Sequence, residues 1–579
     1  MSNEPDIPVG HDEPLKPIHS LPRYSEPTPE THRRVSREEE AELALKNTQY
    51  SAGARFVLIV LFLVTILSVP AIQLASELAA PANQARPGTF NLYKAYPAWE
   101  KIREVRSATD LWRLLPRAAE LKTAEKELET DSVVSEWLLP RVQSFLSGTL
   151  GAGNEQVYLG RGGWLFYRPD VDYLTGPPFL DSVVATHRFH AAAVQPDPIK
   201  AITQFRDQLQ ARGIDLILVP VPMKPGVDGP QLSSRIPRHG VFHNSSFLDF
   251  KNRLEQKGVR VFDPTTALAV RKAGNGDQPL YLETDTHWRP ETMQFVAEKL
   301  AVFVQPGKTA EELAGAAQEI TGTGDIARML RLPVSQKVFR PQTVAIHPVT
   351  QAGAPWRPAR NADILLLGDS FSNIYSLGGL GWGEAAGFAE HLSRSLGRPL
   401  DCILRNSDAA FATREILSRE LARGQDRLAG KKLVIWEFAT RELAFGDWKL
   451  LDLKLGQPKP ATFFVPKAGE SVTVTATVQA ISNVPRPGSV PYADHILALH
   501  LTDVAPAGGE TGTVEAIVYL QSMRDNVLTD AARLGPGDRV TVQLRPWSDV
   551  ADKYEKINRS EIDDPAVQLE EPCWGELVN

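Results

Sequence analysis

Two short stretches hold side chains of the right type and spacing for acyl-transfer chemistry. "ETDTHWRP", residues 283–290, sets Asp285, His287 and Trp288 within four positions, and "LLLGDSFSNIY", residues 365–375, sets Ser370 directly after an apolar run. A serine hydroxyl attacks a carbonyl poorly until a base takes its proton, and that base needs a partner for its other nitrogen. Asp285 and His287 are two apart, so in an extended segment their side chains share a side and the carboxylate fixes the imidazole tautomer. In the second stretch a buried strand is expected to end at Gly368. Asp369, Ser370 and Phe371 then make a tight turn into a helix, presenting Ser370 at the carboxyl edge of a sheet, where open α/β folds place their ligands. The Ser370 N–H would point toward a developing oxyanion. Ser372 stands where a G-x-S-x-G elbow needs its second glycine, which disfavours the ordinary α/β-hydrolase. On the tripeptide alone, a serine that merely caps a helix is the competing reading.

After the Asp-x-His pair, "PETMQFVAEKL" has proline at a first helical position, and Met293, Val296, Ala297 and Leu300 mark one apolar face. His287 is thereby placed near a helix amino terminus, whose partial positive charge disfavours imidazolium. With an ordinary histidine pKa of ~6.5, activity is expected to fall on acidification through that region. Asp-x-His is also a metal-ligand spacing, but no second His or Cys cluster completes a recognisable site, and neither metal nor cofactor is expected. Trp288 reads as core or as a wall of the acceptor site.

The surrounding elements are strands alternating with helices. "PIKAITQFRDQLQARG" spaces Ile199, Ile202, Phe205 and Leu209 on one helical face, and "IDLILVPVP" follows as a continuous β-rich run; "ADILLLGDS" and "KLVIWEF" repeat the buried-strand signature. Such an order predicts an α/β domain with a mostly parallel sheet covered by helices, over residues 151–455. Over 456–579 the rhythm changes to "SVTVTATV", "HILALHL", "VEAIVYL" and "RVTVQL" with turns at "VPRPGSVPY" and "LGPGD". This is a small all-β domain of four or five strands, either an OB-like barrel or a compact sandwich.

The 579 residues exceed what one core supports. A net charge of -7 gives no reason to expect nucleic acid as a partner. Cys402 and Cys573 match no metal or redox spacing and are expected as free thiols. Residues 56–69, "FVLIVLFLVTILSV", extended by "PAIQLA", approach the ~20 residues of a spanning helix. The transmembrane anchor is expected within 51–75, crossing the inner membrane through residues 56–72. Arg37, Lys46 and Arg55 precede it and only Arg86 closely follows, so the amino terminus is expected in the cytoplasm and the bulk of the chain in the periplasm. Residues 1–50, rich in Pro, Glu, Ser and Arg, read as a disordered cytoplasmic tail, and 76–150 as a helical stalk.

"GRGGWLF" (160–166), "VPVPMK" (219–224), "DTHW" (285–288), "GDSFS" (368–372) and "WEFATREL" (436–443), in that order, resemble the SGNH-hydrolase-like polysaccharide O-acetyltransferases of the alginate acetylation type. The resemblance spans roughly 155–450. It implies a periplasmic SGNH-like domain that moves acetyl groups onto hydroxyls of an exported polysaccharide. By motif, Ser370 is the implied nucleophile and Asp285 and His287 the implied acid and base. The implied acetyl source is a membrane-bound O-acyltransferase. The glycine and asparagine of the esterase oxyanion hole do not align, leaving Asn373 and Asn406 as candidates. Tyr375 and Arg441 are candidates for gripping the sugar, with Glu437 or Glu442 as alternative salt-bridge partners of Arg441. Two other functions fit the same residues less fully: a polysaccharide acetylesterase, and a non-catalytic anchored scaffold of an export complex.

Overall fold

The computed structural model describes residues 51–79, 132–181 and 194–578, less positions 239, 275, 277, 308–315, 334, 352, 458–462, 486, 488–489, 491, 507–513, 563, 565–566 and 568–569. The tail expected over 1–50 and most of the stalk expected over 76–150 lie outside the described residues. The chain divides into two compact units, Met1–Ser76 and Glu77–Asn579. Helix α1, Ala52–Ala79, supplies the first; its portion Ala52–Ser76 is long and apolar enough to cross a membrane.

In the second unit, helix α2 spans Pro198–Gln210. The Asp197 side chain caps it by accepting from the Ile199 and Lys200 N–H groups, and Ile202, Phe205 and Leu209 are buried at helical spacing. It feeds β1, Asp215–Val221. With β2 (Arg260–Val261), β3 (Ile364–Gly368), β4 (Asp401–Leu404) and β5 (Leu433–Ala439), this strand builds a five-stranded sheet in the order β4-β3-β5-β1-β2. Every pairing is parallel. Parallel neighbours need helical crossovers, and helices on both faces remove the central strands from water. Leu365, Leu366 and Leu367 accordingly have no exposure, each worth at most about 1.5–3 kcal/mol of burial. Helix α3, Pro290–Val304, starts at the expected proline and buries Met293, Val296, Ala297 and Leu300. It packs on helix α5, Phe388–Leu396, while the one-turn helix α4, Ser370–Asn373, opens at the end of β3.

The carboxy-terminal strands close on themselves. They are β6 (Val472–Ile481), β7 (His495–Pro506), β8 (Ala516–Arg524), β9 (Arg539–Pro546) and β10 (Pro572–Leu577). The pairings β8-β10-β9-β6-β7-β8 complete a ring of five. The domain is therefore a barrel, not a sandwich. Inward residues alternate along each strand, as in Val474, Ala476 and Val478 or Leu497, Leu499 and Leu501. The strand that shuts the ring, "PCWGEL", is buried over its first four residues and shows no apolar–polar alternation in sequence. Cys402 and Cys573 are free and buried.

The barrel is fastened beside the sheet's carboxyl edge. Arg405, just past β4, donates to the Ile557 and Arg559 carbonyls at 3.1 and 2.6 Å. Next to it the Asn406 N–H donates to Asn558 Oδ1 at 3.2 Å, and Asn558 Nδ2 donates back to the Asn406 carbonyl at 2.7 Å.

Candidate active site

The serine turn is set by its neighbours in sequence. Asp369 Oδ1 accepts from the Phe371 N–H at 2.8 Å, capping α4, and Oδ2 accepts from the Ala439 N–H of β5 at 2.9 Å. Gly368 is required by a close approach: a Cβ there would meet Ser372 Oγ at 2.5 Å. Ser370 is half-buried, and among the described residues its backbone N–H donates to nothing.

The acid and the base do not lie on an extended segment as the sequence spacing predicts. Tyr281 and Trp288 form an antiparallel bridge, and Leu282 N–H donates to the His287 carbonyl at 3.0 Å, so 283–287 is a tight bend. The pair meets because Asp285 folds back on its own chain. Its Oδ1 accepts from the His287 N–H at 3.1 Å and from Nδ1–H at 2.6 Å, an Asx-type turn extended to the side chain. Asp285 Oδ2 accepts from the Asp325 N–H at 3.0 Å and from the Trp382 indole at 2.8 Å. With the Nδ1 proton committed to the carboxylate, Nε2 presents its lone pair to Ser370 Oγ at 2.8 Å. Three residues drawn from two distant stretches thus form one hydrogen-bonded line.

A second carboxylate stands behind the first. Asp325 accepts from the Thr286 N–H at 2.8 Å and from Thr286 Oγ1 at 2.6 Å, and its Oδ2 is 3.9 Å from His287 Nδ1. Gly324 permits this, since a Cβ there would sit 2.1 Å from the Thr284 carbonyl oxygen. Asp285, His287 and Asp325 form a group tight enough for a metal ion. Their donor atoms, however, are already spent on one another, on backbone N–H groups and on Trp382, which is the pattern of a hydrogen-bonded relay.

The buried amine of Lys224 pins the same bend from below. It donates to the carbonyls of Leu165, Glu283 and Asp285 at 2.6, 2.8 and 3.0 Å and lies 5.0 Å from the Trp164 ring centroid. Two of the sequence motifs, "GRGGWLF" and "VPVPMK", therefore act through one side chain. Burial pulls the Lys224 pKa down to about 8, against the pull of Asp285 and Asp325.

Charge sets the protonation pattern. Burial works against the Asp285 carboxylate, yet the His287 charge and hydrogen bond, Arg328 and the Asp325 N–H hold its pKa well below the usual range. Burial likewise works against imidazolium at His287, but Asp285 and then Asp325 outweigh it and raise the ring's pKa. This reverses the expectation drawn from the helix terminus. Two carboxylates at hydrogen-bonding range and just beyond outweigh the partial charge of a helix that begins only at Pro290.

The other candidates fall into different roles. Trp288 has no exposure, donates to the Phe371 carbonyl at 3.2 Å and packs edge-on to the Phe371 ring; it is a buttress of the serine turn, not a wall of an acceptor site. Tyr375 is equally buried, its hydroxyl spent on the Trp288 carbonyl at 2.6 Å, so it does not reach a sugar. Arg441 pairs with neither Glu437 nor Glu442. It donates to Asp170 at 2.9 Å with 15% of its side chain exposed, and so still reaches the surface just past the end of β5. Asn373 Nδ2 donates to Asn406 Oδ1 at 2.9 Å, and among the described residues the buried Asn373 Oδ1 and Asn406 Nδ2 have no partner. Asp325, Trp382 and Lys224 are the residues that sequence reading missed. "TGTGD" and the lone lysine ending an apolar strand were the available signals.

Residues 157–440 match the family described as the SGNH hydrolase-like domain of acetyltransferase AlgX. The "Probable alginate O-acetylase AlgJ" of Pseudomonas aeruginosa is 24% identical over 228 residues, 38% of this chain and 53% of that protein. The chain thus spans about half of that relative. The protein of the same name from Azotobacter vinelandii is 23% identical over 306 residues, 51% of this chain and 71% of the relative. Among solved structures, the O-acetyltransferase domain of Pseudomonas putida AlgJ covers 50% of this chain and 93% of its own at 21% identity and a TM-score of 0.36. Pseudomonas aeruginosa AlgX covers 68% and 88% at 17% identity and a TM-score of 0.34. Residues 157–440 thus form an SGNH hydrolase-like domain of the kind found in acetyltransferase AlgX.

Proposed function

We propose that this protein transfers acetyl groups to hydroxyls of an exported polysaccharide through an acetyl-Ser370 intermediate. The observation that carries the reading is the line Ser370 Oγ, His287 Nε2, His287 Nδ1, Asp285 Oδ1, with links of 2.8 and 2.6 Å. His287 takes the Ser370 proton as Oγ attacks the acetyl carbonyl. Asp285 stabilises the imidazolium that results. The negative charge on the carbonyl oxygen is met by the unengaged Ser370 N–H, with Asn406 Nδ2 as the second donor, each such donor worth about 2.7–4 kcal/mol. Collapse expels the donor's leaving group, which takes the proton from His287. A sugar hydroxyl then loses its proton to His287, attacks the acetyl ester, and the cycle returns Ser370 to its resting state. In this reading α1 anchors the protein in the inner membrane, the Glu77–Asn579 unit works in the periplasm, and a membrane-bound O-acyltransferase delivers the acetyl group.

The test is to incubate the chain with an activated acetyl ester and exopolysaccharide fragments, recording protein mass and acetylated sugar together. An adduct on Ser370 that passes to sugar faster than to water supports the transferase. Loss of the adduct to water alone makes the protein an esterase.

The pH dependence has a definite sign. His287 must be neutral to accept the serine proton, so activity is present above its pKa and lost as pH falls through it. Because that pKa is raised above 6.5, the acid limb of kcat/KM is expected above pH 6.5. Asp325→Asn removes one raising charge and shifts the limb to lower pH. Rates of acetyl-ester turnover from pH 5 to 9 decide it; a wild-type limb at or below 6.5 would refute the assignment.

A further inference from the structure

The motif "WEFATREL" contains an acid that the mechanism leaves unused. Glu437 lies in β5 with no exposure, beside the end of β3. Its Oε2 accepts from the Asp369 N–H at 3.0 Å and from Ser372 Oγ–H at 2.7 Å. The first donor, Asp369, lies one residue before Ser370 and the second, Ser372, two residues after it, so position 370 sits between them. Gly368 makes the room, since a Cβ there would stand 3.0 Å from that oxygen. Asp369 in turn spends its own carboxylate on the Phe371 and Ala439 N–H groups. Residues 368, 369 and 372 of "GDSFS" are thus all shaped around this carboxyl.

We propose that Glu437 is a positioning residue for the nucleophile, gripping the chain on both sides of Ser370 from the neighbouring strand, and that it does so as the neutral acid. This deepens the acetyl-serine reading and rests on Ser370 being the nucleophile. The charge state follows from the surroundings. Oε1 is buried with no partner, and no cation hydrogen-bonds or ion-pairs with Glu437 among the described residues. The titratable groups that face it are Asp369 on the turn and Tyr281, whose hydroxyl is engaged by the Pro222 carbonyl. Arg441, the nearest cation in sequence, is paired with Asp170. On the β1 side Glu437 is paired with the apolar Val219, and beyond Gly368 of β3 lies the apolar Leu404 of β4. A carboxylate with one stranded oxygen beside a second acid is costly, and burial together with the Asp369 charge pushes its pKa well above the carboxylate range.

The test uses Glu437→Gln, Glu437→Ala and Ser372→Ala in the full chain. The readout is the rate of Ser370 labelling by a fluorophosphonate, followed from pH 6 to 9 alongside thermal melting. An amide oxygen can accept both hydrogen bonds, so Glu437→Gln should label within about threefold of wild type at every pH. Glu437→Ala should lose about 10²-fold, the scale of a 1 Å misplacement, and Ser372→Ala, which removes one of the two grips, should fall between. Should Glu437→Ala not fold, the comparison of Glu437→Gln with Ser372→Ala decides. Gln labelling much more slowly than wild type overturns the neutral-acid grip, as does a folded Ala variant that labels normally. Because labelling needs only an activated serine, a wild type that labels but forms no acetyl adduct would sink the acetyl-transfer reading and leave this one standing; one that never labels overturns both.

Discussion

Replacing Ser370 with alanine is expected to abolish the acetyl adduct and to lower kcat by on the order of 10⁶-fold, with the fold intact. Ser370 is half-buried, and its hydroxyl makes one described hydrogen bond, to His287. The turn itself is held by Asp369, Glu437 and the missing Cβ of Gly368, so removing one oxygen takes away the nucleophile and little else. His287→Ala should cost about as much, and the double variant scarcely more, because base and nucleophile act in one step. Intact-protein mass and steady-state turnover of an activated acetyl ester check both variants. Retention of a serine-borne adduct in Ser370→Ala would move the nucleophile elsewhere.

Asp285→Asn is expected to reduce kcat by about 10⁴-fold through the tautomer and not through collapse of the site. Asp285 Oδ1 now holds the Nδ1 proton, and an amide NH₂ turned toward that nitrogen would favour the proton on Nε2, facing Ser370 with a donor where an acceptor is needed. The cost differs from that of Ser370→Ala in one respect. Asp285 Oδ2 also receives the Asp325 N–H and the Trp382 indole, so some stability is lost, roughly 1–3 kcal/mol if one of these donors is stranded. A melting curve separates the two effects. An Asp285→Asn protein that melts near wild type but keeps more than a tenth of its activity would show that the carboxylate does not set the tautomer.

The sheet was readable because its strands are buried on both faces and therefore appear as unbroken apolar runs. "IDLILVPVP", "ADILLLGDS" and "KLVIWEF" each became a strand of that sheet. Asp285, His287 and Ser370 stand out in the sequence because activating a serine would demand those residue types, and the fold brings the three side chains into hydrogen-bonding contact. What the sequence hides is direction. Trp288 and Tyr375 have the chemistry of sugar-binding side chains, yet both point inward, and only tertiary packing decides that. The Asp-x-His spacing suggested a shared face of an extended segment, whereas the pair meets through a bend that Asp285 itself makes. Asp325, 40 positions from Asp285, enters through a backbone N–H, which no side-chain pattern announces. Strand β10 was missed because it is largely buried along its length, "PCWGEL" reading as neither alternating nor continuous.

The junction at Arg405 and Asn406 has a mechanical corollary. These residues lie just past β4, the strand beside the one that leads to Ser370, and the Arg405 guanidinium and the Asn406 backbone are hydrogen-bonded to residues 557–559. Asn406 Nδ2, unpartnered among the described residues, is also the proposed second oxyanion donor. The barrel therefore works as a keystone more than as an appendage: any displacement of residues 557–559 withdraws support from the floor on which the tetrahedral intermediate would stand.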